Sequence, residues 1–365
     1  MTSSHMRIKN NHLTPLLVTG LLIVVSLLAF NTAYAEGSYT LYGAIKASVN
    51  ATDDGNESAN SISDNSTRFG LKGDKDIDEN LNAFYQIELG VDVTERTEFN
   101  GGGRNSFIGL QCDFGKVMIG QHDTPYKDIR DFGAELFNDT IGGARSIISA
   151  VADDNGAKLD NRAKNAIMYK SPEFDGISLF LLYSTDMKTP SGTAKDGADD
   201  NDNDLYSLSA TYKLGATYIA IAYEEKSNAG ADDTESWRVA ASYKFSEFQV
   251  GGIVESADNG NGNVLTRDAY SVNGRYNINA KTWAGVQLAM ADDYDKSSNT
   301  SATNVSVGIM HKLAKPTTVY AVIAATANDN NASFGLAQGG IQDTVVAAAP
   351  GDDVTGLSVG VVHKF

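Results

Sequence analysis

Few side chains in this sequence are of a type that performs covalent chemistry. Downstream of residue 35 the histidines are His122, His311 and His363, and Cys112 is the sole cysteine. None of them stands in a nucleophile or metal-ligand spacing, and no Gly-x-Ser-x-Gly turn occurs. The acidic run at 199–204 alternates like a calcium loop but lacks the glycine and the bidentate glutamate that would close one. It reads as a solvated loop, so neither a metal nor a cofactor is expected, and catalysis is excluded as a working function. What remains is electrostatic chemistry. Lys46 alternates with Ile45 and shares a face with Tyr42 and Ala44; Arg68 and Lys72 stand opposite Phe69 and Leu71; Arg104 precedes Ser106-Phe107-Ile108; Arg162 follows a long acidic segment. Charges confined to one face of alternating segments suit a wall that is wet on that side only.

The elements that carry these charges are strands. Period-two alternation recurs in runs of about 8–14 residues. Tyr206, Leu208, Ala210 and Tyr212 oppose Ser207, Ser209, Thr211 and Lys213, and Trp237, Val239, Ala241, Tyr243 and Phe245 oppose Arg238, Ser242 and Lys244. Sixteen such runs are predicted between residues 39 and 365. Their connections alternate: short links near 76–79, 112–115, 171–175, 215, 245–246, 279–280 and 314–315, and long polar segments at 51–66, 95–103, 123–161, 187–203, 228–234, 257–267, 293–301 and 328–353. Short turns on one side and long loops on the other describe an all-β, transmembrane, 16-stranded antiparallel up-and-down barrel. An even strand number lets the first and last strands pair and removes the sheet edges. A soluble sandwich would not segregate its loop lengths in this way, nor reach this strand count without dividing.

Both ends of the chain fit export to a membrane. Arg7 and Lys9, an apolar stretch from Leu16 to Phe30 and the small-x-small sequence Ala33-Tyr34-Ala35 predict a signal peptide over 1–35, cleaved before Glu36, with 36–365 as the barrel. The last run ends on Phe365, an aromatic terminus suited to the lipid–water interface and to a C-terminal membrane-insertion signal. The full chain carries 29 basic and 46 acidic residues. Removing the signal, which holds two bases and no acid, leaves 27 against 46, a charge of −19. That balance excludes nucleic acid as a partner and predicts a mild preference for cations. Segments 51–66 and 328–353 each hold four acids and no base, and the acidic run at 199–204 is the one expected to touch lipopolysaccharide-bound divalent ions.

Five stretches resemble the general diffusion porins of Gram-negative outer membranes, in the branch typified by neisserial and other proteobacterial porins. They are YTLYGAIKASVN at the mature start, TRFGLKGDKDIDENLNAFYQIE from 67, RNSFIGLQCDFGKVMIGQHDTP from 104, NAIMYKSPEFDGIS from 165, and the terminal VGVVHKF. The resemblance implies an outer-membrane homotrimer of 16-stranded barrels in lipid and lipopolysaccharide, each with its third long loop folded into the lumen as an eyelet. Here that loop is 123–161, also the longest. The family's basic wall at the eyelet carries over to Arg68, Arg104 and Arg162, with Lys46 added from its phase, and Gln121 stands where relatives often carry arginine. Opposite them the resemblance implies loop acids: Asp131, in the acidic-Phe-Gly turn 131–135, together with Glu135, Asp123, Asp128 and Asp139. The implied function is passive passage of ions and small hydrophilic solutes. The alternative, a substrate-specific channel, calls for an aromatic track, and Trp237 and Trp283 supply none.

Overall fold

The computed structural model describes residues 37–94, 103–148, 160–185, 204–227, 233–258, 266–336 and 348–365. The expected signal over 1–35, the loop residues 95–102 and the acidic run up to Asn203 lie outside them. The described chain is a single antiparallel sheet of seventeen segments closed on itself. β1 (Ser38–Asp53) pairs with β17 (Val354–Lys364) on one side, and β9 (Leu205–Leu214) with β10 (Thr217–Lys226) on the far side of the ring. On its other side β1 meets two segments in succession, β2 (Ser58–Asp64) through Ala47–Asp53 and β3 (Arg68–Asp78) through Ser38–Ala44. These two are one strand interrupted at residues 65–67, so the ring has sixteen strands.

Alternation dictates which side chains face which medium. On β10 Ile219 and Ile221 are exposed while Tyr218, Ala220, Ala222 and Glu224 are buried; on β16 (Thr317–Asn328) Ile323 is exposed and Val322 and Ala324 are buried. The exposed apolar set continues around the ring, with Val305, Val307, Val359 and Val361 among it. A sheet that turns its apolar residues outward is stable only against lipid, where charged side chains at mid-membrane would cost about 2–4 kcal/mol each. Near the short turns the outer face carries a row of rings: Tyr243, Phe245, Phe248 and Tyr276 follow one another at centroid distances of 6.1, 5.6 and 4.8 Å. Such rows suit the headgroup level. The ring is completed at the chain end, where Gly43 and Phe365 exchange two backbone hydrogen bonds of 3.1 Å.

One expected connection is different. Segment 51–66 is not a long loop: β1 runs to Asp53, the chain turns at 54–57, and β2 returns from Ser58. Asp53 and Asp54 accept the amides of Gly55, Asn56 and Glu57 and so build the turn. The polar residues of β2 hide its period, with Ile62 its one large apolar side chain, but backbone pairing with β1 over Ala47–Asp53 holds it in the sheet. The interruption that follows is a bulge with Ser66 at φ 66°. Asn65 and Thr67 both bond the backbone of Lys46, so the bulge aims the wall at that residue.

Candidate functional site

Segment 124–148 is the longest described stretch without a strand, and its own residues explain its shape. Thr124 caps a single helical turn, α1 (Pro125–Asp128), by accepting the Lys127 amide, and Pro125 occupies the first helical position, where a missing N–H costs nothing. Beyond it Phe132 adopts φ 63° and Gly133 φ 92°, which turns the chain sharply. The segment then tracks the buried face of consecutive strands. The Tyr126 hydroxyl donates to Glu255 on β12 (Phe248–Asp258) at 2.7 Å, and Tyr218 on β10 donates to the Ile129 carbonyl at 2.8 Å. Ser242 on β11 (Thr234–Phe245) donates to the Phe132 carbonyl at 2.6 Å, and Asn273 on β13 (Thr266–Asn277) to the Ala134 carbonyl at 2.6 Å. Gln287 on β14 (Thr282–Ala291) accepts from the Leu136 amide at 3.0 Å and donates to the Gly142 carbonyl at 2.9 Å. The approach at Gly251 is so close that a Cβ there would collide with the Gly133 carbonyl.

A buried charge cluster anchors the segment's start. Asp160, fully buried, is engaged by Arg145 at 2.7 Å, Arg130 at 3.1 Å and Arg238 at 3.4 Å; Arg130 also meets Glu135 at 2.5 Å, and Arg238 meets Glu255 at 2.5 Å. Burial alone would raise the Asp160 carboxyl, but the three guanidinium groups hold it below its usual range. Every charge in this cluster has an opposite partner, as burial requires.

A second group of charges gathers between the segment and strands β1, β3 and β7 (Arg162–Lys170). Lys46 on β1 meets Asp139 at 2.6 Å. Arg104 meets Glu88, on β4 (Leu81–Gly90), at 2.6 Å, and Arg68 stands 3.9 Å from the same carboxylate. The Tyr42 hydroxyl donates to Glu88 at 3.0 Å. Arg162, at the start of β7, meets Asp123 at 3.0 Å, and Lys127 meets Asp123 at 2.8 Å. Burial would raise the Asp139 carboxyl, yet Lys46, with Arg68 and Arg104 beyond it, keeps it below the ordinary range. The group therefore holds five bases, Lys46, Arg68, Arg104, Lys127 and Arg162, against three acids, Glu88, Asp123 and Asp139.

The expected residues thus fall into three places. Lys46, Arg68, Arg104 and Arg162 come together with Asp123 and Asp139. Glu135 is inside the anchor with Arg130. Asp131 makes no ion pair with Arg68, Arg104 or Arg162; with Asp123 and Asp128 it lines a cavity beside Lys170 and Lys213. Asp128 is open to that cavity on one side, its side chain 36% exposed, and is 3.5 Å from Lys170. Burial pushes its carboxyl up to about 6. Burial and the neighbouring Asp128 raise Asp131 as well. Glu88 is the residue that sequence reasoning missed. Its signal was present, since it shares the phase of Phe84 and Gln86 on β4, which turns it toward Arg68 and Arg104. Arg238, Glu255 and Asp160 were missed because only the segment's path gives them partners.

The sequence profile of the Gram-negative porins matches residues 22–331. Among curated relatives, outer membrane porin protein 32 of Delftia acidovorans is 26% identical over 94% of this chain and 99% of its own length. Major outer membrane protein P.IB of Neisseria meningitidis serogroup B is 26% identical over 73% of this chain and 76% of its own. Among solved structures, one titled an anion-selective porin from Comamonas acidovorans superposes with a TM-score of 0.75 at 24% identity, covering 90% of this chain and all of that one. OmpT of Vibrio cholerae in a trimer form superposes at 0.66 and 18% identity, covering 90% and 99%.

Proposed function

The chain belongs to the Gram-negative porin family, and we propose that it is a general diffusion channel whose narrowest part lies between segment 124–148 and the bases of β1, β3, β7 and Arg104. It is an outer-membrane porin; its relatives are channels rather than enzymes. The observation that carries the constriction reading is the run of hydrogen bonds from Tyr218, Ser242, Asn273 and Gln287 into the segment. All four donors belong to the face opposite the apolar band, so the segment they hold runs through the lumen. A closed ring of sixteen strands leaves water on that side. Ion-paired side chains along the opening give it a charged, wet wall that favours hydrated, polar solutes and requires no binding step.

The sign of ion preference follows from what stands within a Debye length, about 8–10 Å in dilute salt. Five bases and three acids at the opening favour anions weakly, and this replaces the cation preference expected from the whole-chain charge, whose acids lie largely on distant loops. Planar-bilayer conductance under a potassium chloride gradient tests both points. An ohmic open channel with a weakly anion-selective reversal potential is expected. Absence of conductance would overturn the channel, and a cation-selective sign in dilute salt would overturn the local-charge reasoning. A homotrimer is part of the reading. Unheated detergent samples should migrate as a species several times larger than boiled ones, and a monomer by native mass measurement would exclude it. Residues 1–35 complete the reading as a cleaved export signal, which N-terminal sequencing of the mature protein checks.

A further inference from the structure

Beside the opening, between segment 124–148 and the inner face of β7 to β10, is a cavity of about 460 Å³, within the usual size of a small-ligand site. Its walls divide by chemistry. Phe180, Phe132 and Tyr218 supply aromatic surface, the last two with centroids 5.0 Å apart. Ser178 and Thr211, sharing a 2.8 Å hydrogen bond, supply hydroxyls. The His122 imidazole, two ammonium groups and three carboxylates complete the lining, and one of the three, Asp123, is committed to Lys127 and Arg162. Lys170 and Asp128 engage each other at 3.5 Å. Lys213 and Asp131 have no ion-pair partner among the described residues: the Lys213 ammonium lies 3.2 Å from the Phe132 ring centroid, with Glu173, Asp131 and Asp128 as the carboxylates that act on it from farther away. Asp131 is acted on by Asp128, Glu135 and Asp123 of its own sign and by Arg130, and Arg130 is committed to Asp160 and Glu135.

An ammonium held against an aromatic ring and a carboxylate, neither in an ion pair among the described residues, are complementary to one kind of solute. It carries a carboxylate for Lys213, an ammonium for Asp131, and a flat apolar group for the exposed Phe132 ring, because Phe180 is covered by the Lys170 ammonium and Tyr218 is buried. A simple anion would face Asp128 and Asp131 unpaired, and a simple cation would face Lys170 and Lys213; either mismatch penalises the wrong partner. We propose that this cavity is a binding subsite for zwitterionic aromatic α-amino acids, adjoining the path of small ions. The proposal rests on the open-channel reading above, since the cavity adjoins the lumen.

The test uses the full mature protein in planar bilayers, with potassium chloride as the carrier and four probes of similar size or charge: phenylalanine, alanine, phenylacetate and phenethylammonium. Phenylalanine should reduce the ion current saturably, at a half-blocking concentration at least about fivefold below each of the other three, as expected for one additional charged or stacking contact. Lys213→Gln should raise the half-blocking concentration of phenylalanine and phenylacetate about fivefold and leave phenethylammonium unchanged; Asp131→Asn should do the reverse for the two monovalent probes. Both side chains face the cavity, so both variants should retain potassium chloride conductance and heat-modifiable mobility. Equal block by all four probes, or variants that fail to discriminate phenylacetate from phenethylammonium, would overturn the subsite. If potassium chloride itself is not conducted, the channel reading fails instead, so the two failures are distinct.

Discussion

Replacing Asp139 by Asn removes one negative charge from the opening while keeping an oxygen that can accept the Lys46 ammonium, now held at 2.6 Å. The segment should stay in place, because Ser242, Asn273 and Gln287 hold it independently. What changes is the potential felt by a passing ion. At about 5 Å in water a unit charge contributes roughly 0.8 kcal/mol, reduced by screening to about 0.5 kcal/mol in 0.1 M salt and about 0.2 kcal/mol in 1 M salt. Cations lose that stabilisation and anions are freed of the same repulsion, so the effect enters the permeability ratio twice. The variant should be more anion-selective than the parent by about fivefold at 0.1 M and under about twofold at 1 M. Reversal potentials across a tenfold gradient, at both ionic strengths, read this directly. Glu57→Gln, at the exposed 54–57 turn, serves as the control and should change nothing. A parental reversal potential for Asp139→Asn at 0.1 M would place Asp139 away from the conducting path and refute the reasoning.

Three further outcomes follow from the same geometry. Arg104→Ala removes a long side chain and a positive charge; conductance should rise and selectivity shift toward cations a few-fold, while Glu88 keeps Arg68 and the Tyr42 hydroxyl, and unchanged selectivity would exclude Arg104 from the opening. Asp128, with its carboxyl at about 6, is ionised at pH 7.5 and largely protonated at pH 5, so lowering pH deletes a negative charge. The reversal potential should move toward anions with a midpoint near 6, and a midpoint that persists in Asp128→Asn would assign the titration to another group. Deleting Phe365 removes both backbone bonds to Gly43 that complete the β1–β17 seam; refolding yield into vesicles should drop severalfold, and parental yield and heat-modifiability would show that the seam closes without it.

Much of the barrel is legible in the chain because a strand's side chains alternate and lipid tolerates only one kind of face. The run predicted at 235–245 is β11, Thr234–Phe245, and that predicted at 268–278 is β13, Thr266–Asn277. Turns such as that around Gly215 stand where the linkers are short. β2 was illegible because Ser58-Ala59-Asn60-Ser61-Ile62-Ser63-Asp64 holds a single large apolar residue, Ile62, too few to show a period, although the Asp53–Glu57 turn chemistry marked its start. Glu88 was placed by phase but not recognised, since a phase states which face a residue takes and not which charge it will meet.

By itself the sequence determined strand identity, the outward apolar face, the even ring and the supply of bases on its inner wall. Each of these depends on neighbours one or two residues away, or on the medium outside. Only the tertiary structure decided how the acids are distributed: Asp139 to Lys46, 93 residues apart, Tyr126 to Glu255, 129 apart, and Asp131 to the cavity that Lys213 lines. Residues 124–148 have no periodic partner and no apolar stripe to orient them. Their path is set by where Arg130, Arg145 and Arg238 converge on one buried carboxylate and by which wall side chains can satisfy their backbone. Those are contacts between distant parts of the chain, and they come into being only when the ring closes.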